Sequence, residues 1–390
     1  MISTRPIIPA IRYGERLCAA SSLARGAGLS AILVGVGADM RYLAGYEAMP
    51  LERLTMLLIP AVGDPSLIVP RLEVAPARLA PAAEGGFLPI RTWEEGDDAH
   101  EFAASIVLVA RRDLASREFR VAVSDDLPAR HQLPLQERLG GARFSLASLL
   151  LREIRMVKDP DEIALLTLAA HAADRVVAQI AAGRLVGRTE VDVANDVRVR
   201  LVAEGHDEAL FAIVGSGPNS ASPHHGASDR VIQAGEPIVL DIGGILGGYG
   251  SDTTRTLWVT GGDPANGPDE RFRHLFAVLL GAQAAATRAV RPGLPCEAVD
   301  AAARRPIEAE GYGEAFFHRT GHGIGLEGHE EPYIIAGNRE PLREGMTFSV
   351  EPGIYLPGQY GARIEDIVVC GPDGPVALNE SPRELYVVDG

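Results

Sequence analysis

Residues 1 to about 155 alternate helical stretches with short apolar runs: Ala31-Ile-Leu-Val-Gly-Val, Leu54-Thr-Met-Leu-Leu-Ile-Pro, Ser66-Leu-Ile-Val-Pro and Val121-Ala-Val-Ser-Asp. Continuous runs of this length, bounded by Gly, Pro and Asp, read as strands of a largely buried sheet, so the pattern predicts an α/β domain over 1–155. The texture changes after Leu151. Asp159 can cap a helix whose first residue is Pro160, and Glu162 falls three residues after the cap, the capping-box arrangement. An Ala-rich helix then runs to about Ala182, and Thr189 with Asp192 starts another after Gly187.

From Leu210 onward strands dominate: Phe211-Ala-Ile-Val-Gly, Ile238-Val-Leu-Asp-Ile, Thr256-Leu-Trp-Val, Thr347-Phe-Ser-Val-Glu and Ile364-Glu-Asp-Ile-Val-Val. Helical patterns at about 268–290 and 295–310 interrupt them. Together with a length of 390 residues, this predicts a second domain over 156–390. The polar residues that solvation does not explain lie on its strands rather than on its helices.

With 46% hydrophobic and 23% charged residues, the chain has the composition of a globular protein. A net charge of -15 repels phosphate backbones and anionic lipid, so no nucleic acid and no membrane partner is expected. Cys18, Cys296 and Cys370 fit no metal or redox spacing and read as reduced, buried thiols of a cytoplasmic protein. The amino terminus, Met1-Ile-Ser-Thr-Arg-Pro, carries no signal-peptide pattern, and no apolar stretch approaches the length of a spanning helix.

The candidate chemistry sits in the second half. Asp241 closes the apolar run Pro237-Ile-Val-Leu, and burying an ionised carboxylate costs several kcal/mol unless something positive meets it. Between Asp241 and Asp252 lies Gly243-Gly-Ile-Leu-Gly-Gly-Tyr-Gly, suited to a tight hairpin that would bring the two carboxylates together. Side by side they repel, unless cations keep both ionised; the alternative is a solvated Asp at each strand end. His318, His322 and His329 cluster among small residues, a pattern suited to ligands or acid–base groups in a cleft. Glu351 ends an apolar strand before Pro352-Gly. Arg363 and Glu365, two apart, would share one face of a strand flanked by Ile and Val. Four carboxylates and one imidazole suit Mn²⁺, Co²⁺, Fe²⁺ or Zn²⁺, and would suffice for two ions roughly 3.5–4 Å apart.

In combination, Val239-Leu-Asp-Ile-Gly, Ser251-Asp-Thr-Thr-Arg, Gly321-His-Gly-Ile-Gly with His329-Glu, Val350-Glu-Pro-Gly and Arg363-Ile-Glu-Asp identify a likeness. The chain resembles the metallopeptidases of the pita-bread (M24) family, specifically the Xaa-Pro group containing prolidase and aminopeptidase P. The resemblance implies an α+β fold: a C-terminal pita-bread (creatinase/aminopeptidase) domain preceded by a smaller α/β creatinase-like domain that shapes access and dimer contacts. It implies two divalent ions, with manganese favoured over Co²⁺, Zn²⁺ or Fe²⁺. Asp241 would bind one ion, Asp252 and Glu365 would bridge, and His322 and Glu351 would complete the second.

His224, in Asn219-Ser-Ala-Ser-Pro-His-His, matches a substrate-side histidine, with His225 its neighbour. His318 and His329 match further active-site histidines, and Arg363 an arginine that binds the substrate's far end. The implied reaction is hydrolysis of the Xaa-Pro bond by a metal-bridging hydroxide, with Glu351 carrying the proton and His224 or His329 helping to stabilise the oxyanion. The short N-terminal domain favours a dipeptidase (prolidase), active as a homodimer. The alternatives are an Xaa-Pro aminopeptidase acting on longer peptides and, more remotely, a non-catalytic peptide- or histone-binding protein on the same fold. A metal-free hydrolase of the creatinase type is disfavoured because all five ligand positions are present. Methionine aminopeptidase is disfavoured by the additional N-terminal domain.

Overall fold

The computed structural model describes residues 5–112 and 118–390, so Met1–Thr4 of the amino-terminal segment lie outside the described residues. The chain divides into a unit of Ile7–Arg155 and a unit of Met156–Gly390 that also takes in Arg5 and Pro6.

The first unit is built on a six-stranded mixed sheet in the order Ile90–Trp93, Ser66–Pro70, Met56–Pro60, Ala31–Val34, Arg120–Val123, Arg143–Leu146. The four apolar runs form its four central strands. The two outer strands escaped the pattern because edges are half solvated: Ile90–Trp93 buries only Trp93, and Arg143–Leu146 buries no residue fully. Helix Ala99–Arg112 lays Ala103, Ala104 and Val107 on the sheet beside Leu33, Met56 and Val121. Cys296 and Cys370 are buried thiols as expected, but Cys18 is exposed, because it falls on the solvent face of helix Ala10–Gly26.

The second unit has two helix-on-sheet layers. Helix Pro160–Ala181 begins with the expected box: Asp159 accepts from the Asp161 and Glu162 amides, and Glu162 accepts the Asp159 amide in return. Thr189 and Asp192 do the same for helix Glu190–Ala203. Both helices pack on a sheet ordered Tyr386–Val388, Thr253–Val259, Glu236–Leu246, Glu208–Ser216. Contrary to expectation, helix Pro160–Ala181 is long and apolar enough to cross a membrane. In the fold, its Ala173, Val176, Val177 and Ile180 meet Leu240 and Ile242 of that sheet in one core.

The second layer puts helices Glu270–Ala289 and Cys296–Ala309 on a sheet ordered Glu330–Ile334, Gly321–Gly323, Thr347–Val350, Asp366–Gly371, Gly374–Ala377. This is the α+β pita-bread arrangement. Two particulars differ from the sequence pattern. Buried charge is not confined to strands: Glu162, Asp174, Glu190 and Asp300 lie on helices at 2%, 7%, 0% and 1% exposure. The stretch from Arg363 to Val369 is not one strand either. Tyr360–Arg363 pairs with Gly353–Leu356, whereas Asp366–Gly371 pairs with Thr347–Val350. The chain changes partners at Ile364 and Glu365, whose amides bond the carbonyls of Pro352 and Thr254.

Candidate metal centre

Glu236–Leu246 is an interior strand, paired on both sides, and this is what buries Asp241 opposite Thr254 and Ile213. The hairpin after it turns on Gly247 and Gly248, both at positive φ (61° and 92°), the conformation that two-residue turns of the primed type need. The returning chain then carries Asp252 back beside Asp241. Gly321 and Gly323 flank His322 because the neighbouring strands come too close for a side chain: a Cβ on Gly321 would stand 1.8 Å from the Ser349 carbonyl oxygen. Glu351 follows the strand Thr347–Val350, its amide bonded to the Thr320 carbonyl at 2.8 Å.

These elements bring the five expected groups together on a cavity of about 690 Å³, which His224, His318, His329 and Arg363 also line. Ligand atoms of Asp241, Asp252 and Glu365 lie within 4.8 Å of one another, as do those of His322, Glu351 and Glu365, and of Asp252, His322 and His329. Glu365 belongs to two of these groups and Asp252 to two.

The donor set fits divalent cations. Asp241 Oδ1 and Glu365 Oε1 are buried, and neither meets a hydrogen-bond donor among the described residues. His322 Nδ1 faces the Gly323 carbonyl at 3.1 Å, which can only accept, so Nδ1 carries the proton. The bare Nε2 lone pair then faces Glu351 Oε1 at 3.3 Å and Asp252 Oδ2 at 3.6 Å. Three lone-pair atoms converging in this way repel unless a cation or a proton sits among them. The electrostatics carry the same frustration. Burial, then the neighbouring carboxylates, raises Asp252 and Glu365 well above the usual carboxylate range. Burial pushes Glu351 up to about 7 against the pull of Arg363, and lowers His322 to about 3.

The remaining expected residues divide. His224 and His329 are exposed to the cavity. His318 is held on both nitrogens: Nδ1 donates to the Arg319 carbonyl at 2.7 Å and Nε2 meets the Tyr355 hydroxyl at 3.0 Å. Arg363 is 3% exposed and donates to Asp241 Oδ2 at 2.5 Å, to Tyr355 at 2.8 Å and to Thr254 Oγ1 at 3.1 Å. Direction along this chain is set by its ends, since Arg363 only donates and the Arg319 carbonyl only accepts. Tyr355 therefore passes its proton donation to His318, whose neutral ring agrees with burial lowering it to about 4. His225 turns away from the cavity, its Nε2 2.7 Å from Glu190.

Sequence reasoning passed over Tyr355, Thr254, Arg319 and Glu190. The first three sit within a few residues of named motifs, and only their hydrogen bonds mark them. Thr254 Oγ1 donates to Glu365 Oε2 at 2.7 Å, and Arg319 reaches His329 at 3.2 Å. Phe211, Ile213, Phe317 and Ile335 supply an apolar wall to the cavity.

Comparison with known proteins supplies the family. Residues 164–372 match Metallopeptidase family M24, and residues 16–157 match the Creatinase/Prolidase N-terminal domain. The chain belongs to metallopeptidase family M24. It is similar to the probable dipeptidase PepE of Mycobacterium tuberculosis, 47% identical over 96% of each chain. It is also similar to the Xaa-Pro dipeptidase of Lactobacillus helveticus, 34% identical over 89% of this chain and 92% of that one. The crystal structure of dipeptidase PepE from Mycobacterium ulcerans superposes with a TM-score of 0.89 at 46% identity, covering 98% of this chain and 99% of that one.

Proposed function

We propose that the protein is a dinuclear-metal Xaa-Pro dipeptidase. The observation that carries this is the convergence of Asp241, Asp252, His322, Glu351 and Glu365 on one cavity, with two buried carboxylate oxygens that meet no donor among the described residues. Asp241 would help hold one divalent ion and His322 with Glu351 the other, with Asp252 and Glu365 as the shared carboxylates. The metals would be manganese, cobalt, zinc or iron, and they supply Lewis acidity that makes water a nucleophile near neutral pH and polarises the scissile carbonyl.

The protein's own groups do the rest. Glu351, at the cavity wall beside His322, takes a proton from the nucleophile and delivers it to the departing proline nitrogen. His224 and His329, the two exposed imidazoles at the cavity, donate to the carbonyl oxygen as charge develops there. The wall of Phe211, Ile213, Phe317 and Ile335 excludes water and takes the proline ring and the side chain before it. Arg363 acts by holding Asp241 and Tyr355 in place, and His318 is a positioning residue, since neither of its nitrogens is open to substrate. The proposal extends to a cytoplasmic homodimer whose N-terminal unit shapes access and dimer contacts.

Protein stripped with chelator and reloaded with Mn²⁺ or Co²⁺ is expected to cleave Ala-Pro, and to prefer it to Ala-Pro-Ala. Activity independent of metal would sink the proposal, and preference for the tripeptide would assign an aminopeptidase instead.

A further inference from the structure

Away from the metal centre, a second buried carboxylate has no part in the chemistry described so far. Glu190, the first residue of helix Glu190–Ala203, has a side chain with no exposure. Its Oε1 accepts the Ser216 amide at 2.8 Å, the Ser216 hydroxyl at 2.7 Å and Asn219 Nδ2 at 3.0 Å. Its Oε2 accepts Asn219 Nδ2 at 3.1 Å, His225 Nε2 at 2.7 Å, the Ser228 amide at 3.1 Å and the Ser228 hydroxyl at 2.6 Å. Two carboxylate oxygens offer about four lone-pair sites, so this group is saturated. Burial works to raise its pKa, but the donors from Ser228, Ser216 and His225 outweigh that and hold it at about 2. It is ionised throughout any working range.

All four donor residues belong to the segment 216–228, and they include both of its ends. The carboxylate therefore ties the loop into a closed ring. His224 rides on that ring, facing the cavity. Its neighbours on either side are fixed: the Pro223 carbonyl accepts from Arg363 at 3.3 Å, and His225 is bound to Glu190. Ser220 adds a third anchor by accepting the Gly361 amide at 2.8 Å. A loop of small and polar residues with no apolar core of its own needs such ties to hold a side chain to within a fraction of an ångström.

Taking the cavity as the peptidase site, we propose that Glu190 is a positioning residue for the reaction, which acts through His225 and the loop 216–228 to place His224 at the cavity wall. Glu190 does not line the cavity, so its effect on turnover runs through His224. Displacing a reacting or stabilising group by about 1 Å can cost on the order of 10²-fold in rate.

The test uses the metal-loaded full chain and four variants: Glu190→Gln, Glu190→Asp, His224→Ala and the double variant Glu190→Gln with His224→Ala. Glu190→Gln is expected to lower kcat/KM on Ala-Pro by roughly 10²-fold with bound metal unchanged. Glu190→Asp recovers part of that loss, and the double variant is no slower than His224→Ala alone. Hydrogen exchange supplies a readout independent of activity. In Glu190→Gln the Ser216 and Ser228 amides exchange faster, while the amides of helix Glu190–Ala203 keep their protection. Where Glu190→Gln does not fold, His225→Gln carries the same comparison. Full activity in Glu190→Gln, additive losses in the double variant, or exchange that rises across the whole unit would each overturn the proposal. A wild-type protein inactive on every Xaa-Pro peptide would instead overturn the peptidase assignment, and the exchange data would still decide the role of Glu190 in the loop.

Discussion

Glu190 and Glu365 are both buried glutamates of the same unit, and their surroundings could hardly differ more. Every lone pair of Glu190 meets a donor, and its pKa is held at about 2. Glu365 has one side-chain donor, Thr254, while its Oε1 meets none among the described residues, and burial with Glu351 and Asp241 nearby drives it well above the carboxylate range. Burial alone therefore does not mark a functional carboxylate. A carboxylate saturated by donors stays ionised unaided, whereas one crowded by other anions needs a proton or a cation.

The contrast can be broken in several ways. Asp241→Ala or Glu365→Ala is expected to cost on the order of 10³-fold or more in kcat, about 4 kcal/mol of barrier, together with loss of bound metal measured by elemental analysis. Retained metal and turnover would mean these oxygens hold no cation. Next in size is the response of the stripped protein to pH. Glu351 titrates at about 7 in the fold against an ordinary 4.5, and Asp252 and Glu365 are also raised, so the folded state binds more protons than the unfolded state across that window. Stability must fall as pH rises from 4.5 towards 7. Thermal melts of stripped protein should drop by several degrees between pH 5.5 and 7.5, and metal loading should erase the drop.

Glu190 should behave in the opposite sense. Its folded pKa is depressed, so its contribution is complete above 4.5 and disappears as pH falls towards about 2. Glu190→Gln should cost about 2 kcal/mol in denaturant unfolding at neutral pH and flatten the acid limb of the stability profile, while leaving the metal-dependent gain untouched. At the small end lies an exposed carboxylate. Arg71 pairs with Glu94 at 2.6 Å with side chains 75% and 54% exposed, and Arg71→Ala should leave the melting temperature unmoved, because solvent screens that pair.

The candidate ligands were legible in the sequence because each breaks a local rule: Asp241 ends an apolar run, and His322 sits among glycines that only close strand packing explains. The central strands and both capping boxes were legible for the same local reason. Glu190 obeyed its local rule, since an acidic residue in the first turn of a helix is ordinary. Its four partners are gathered from a loop 26 to 38 residues away, which no short pattern reveals. Arg363 and Glu365 were read as one strand because their spacing is right for a strand, and only the exchange of pairing partners at Ile364 shows otherwise. The edge strands of the first unit went unread because half-solvated segments mix polar with apolar positions. For His318 the motif shows that a histidine is present, not that the Arg319 carbonyl and the Tyr355 hydroxyl occupy its nitrogens.

Thr254, beside Asp252, bonds Glu365 across 111 residues of sequence. On the ribosome, both aspartates emerge long before the glutamate that joins them. The five candidate ligands, Asp241, Asp252, His322, Glu351 and Glu365, therefore come together only after the chain through Glu365 has been made.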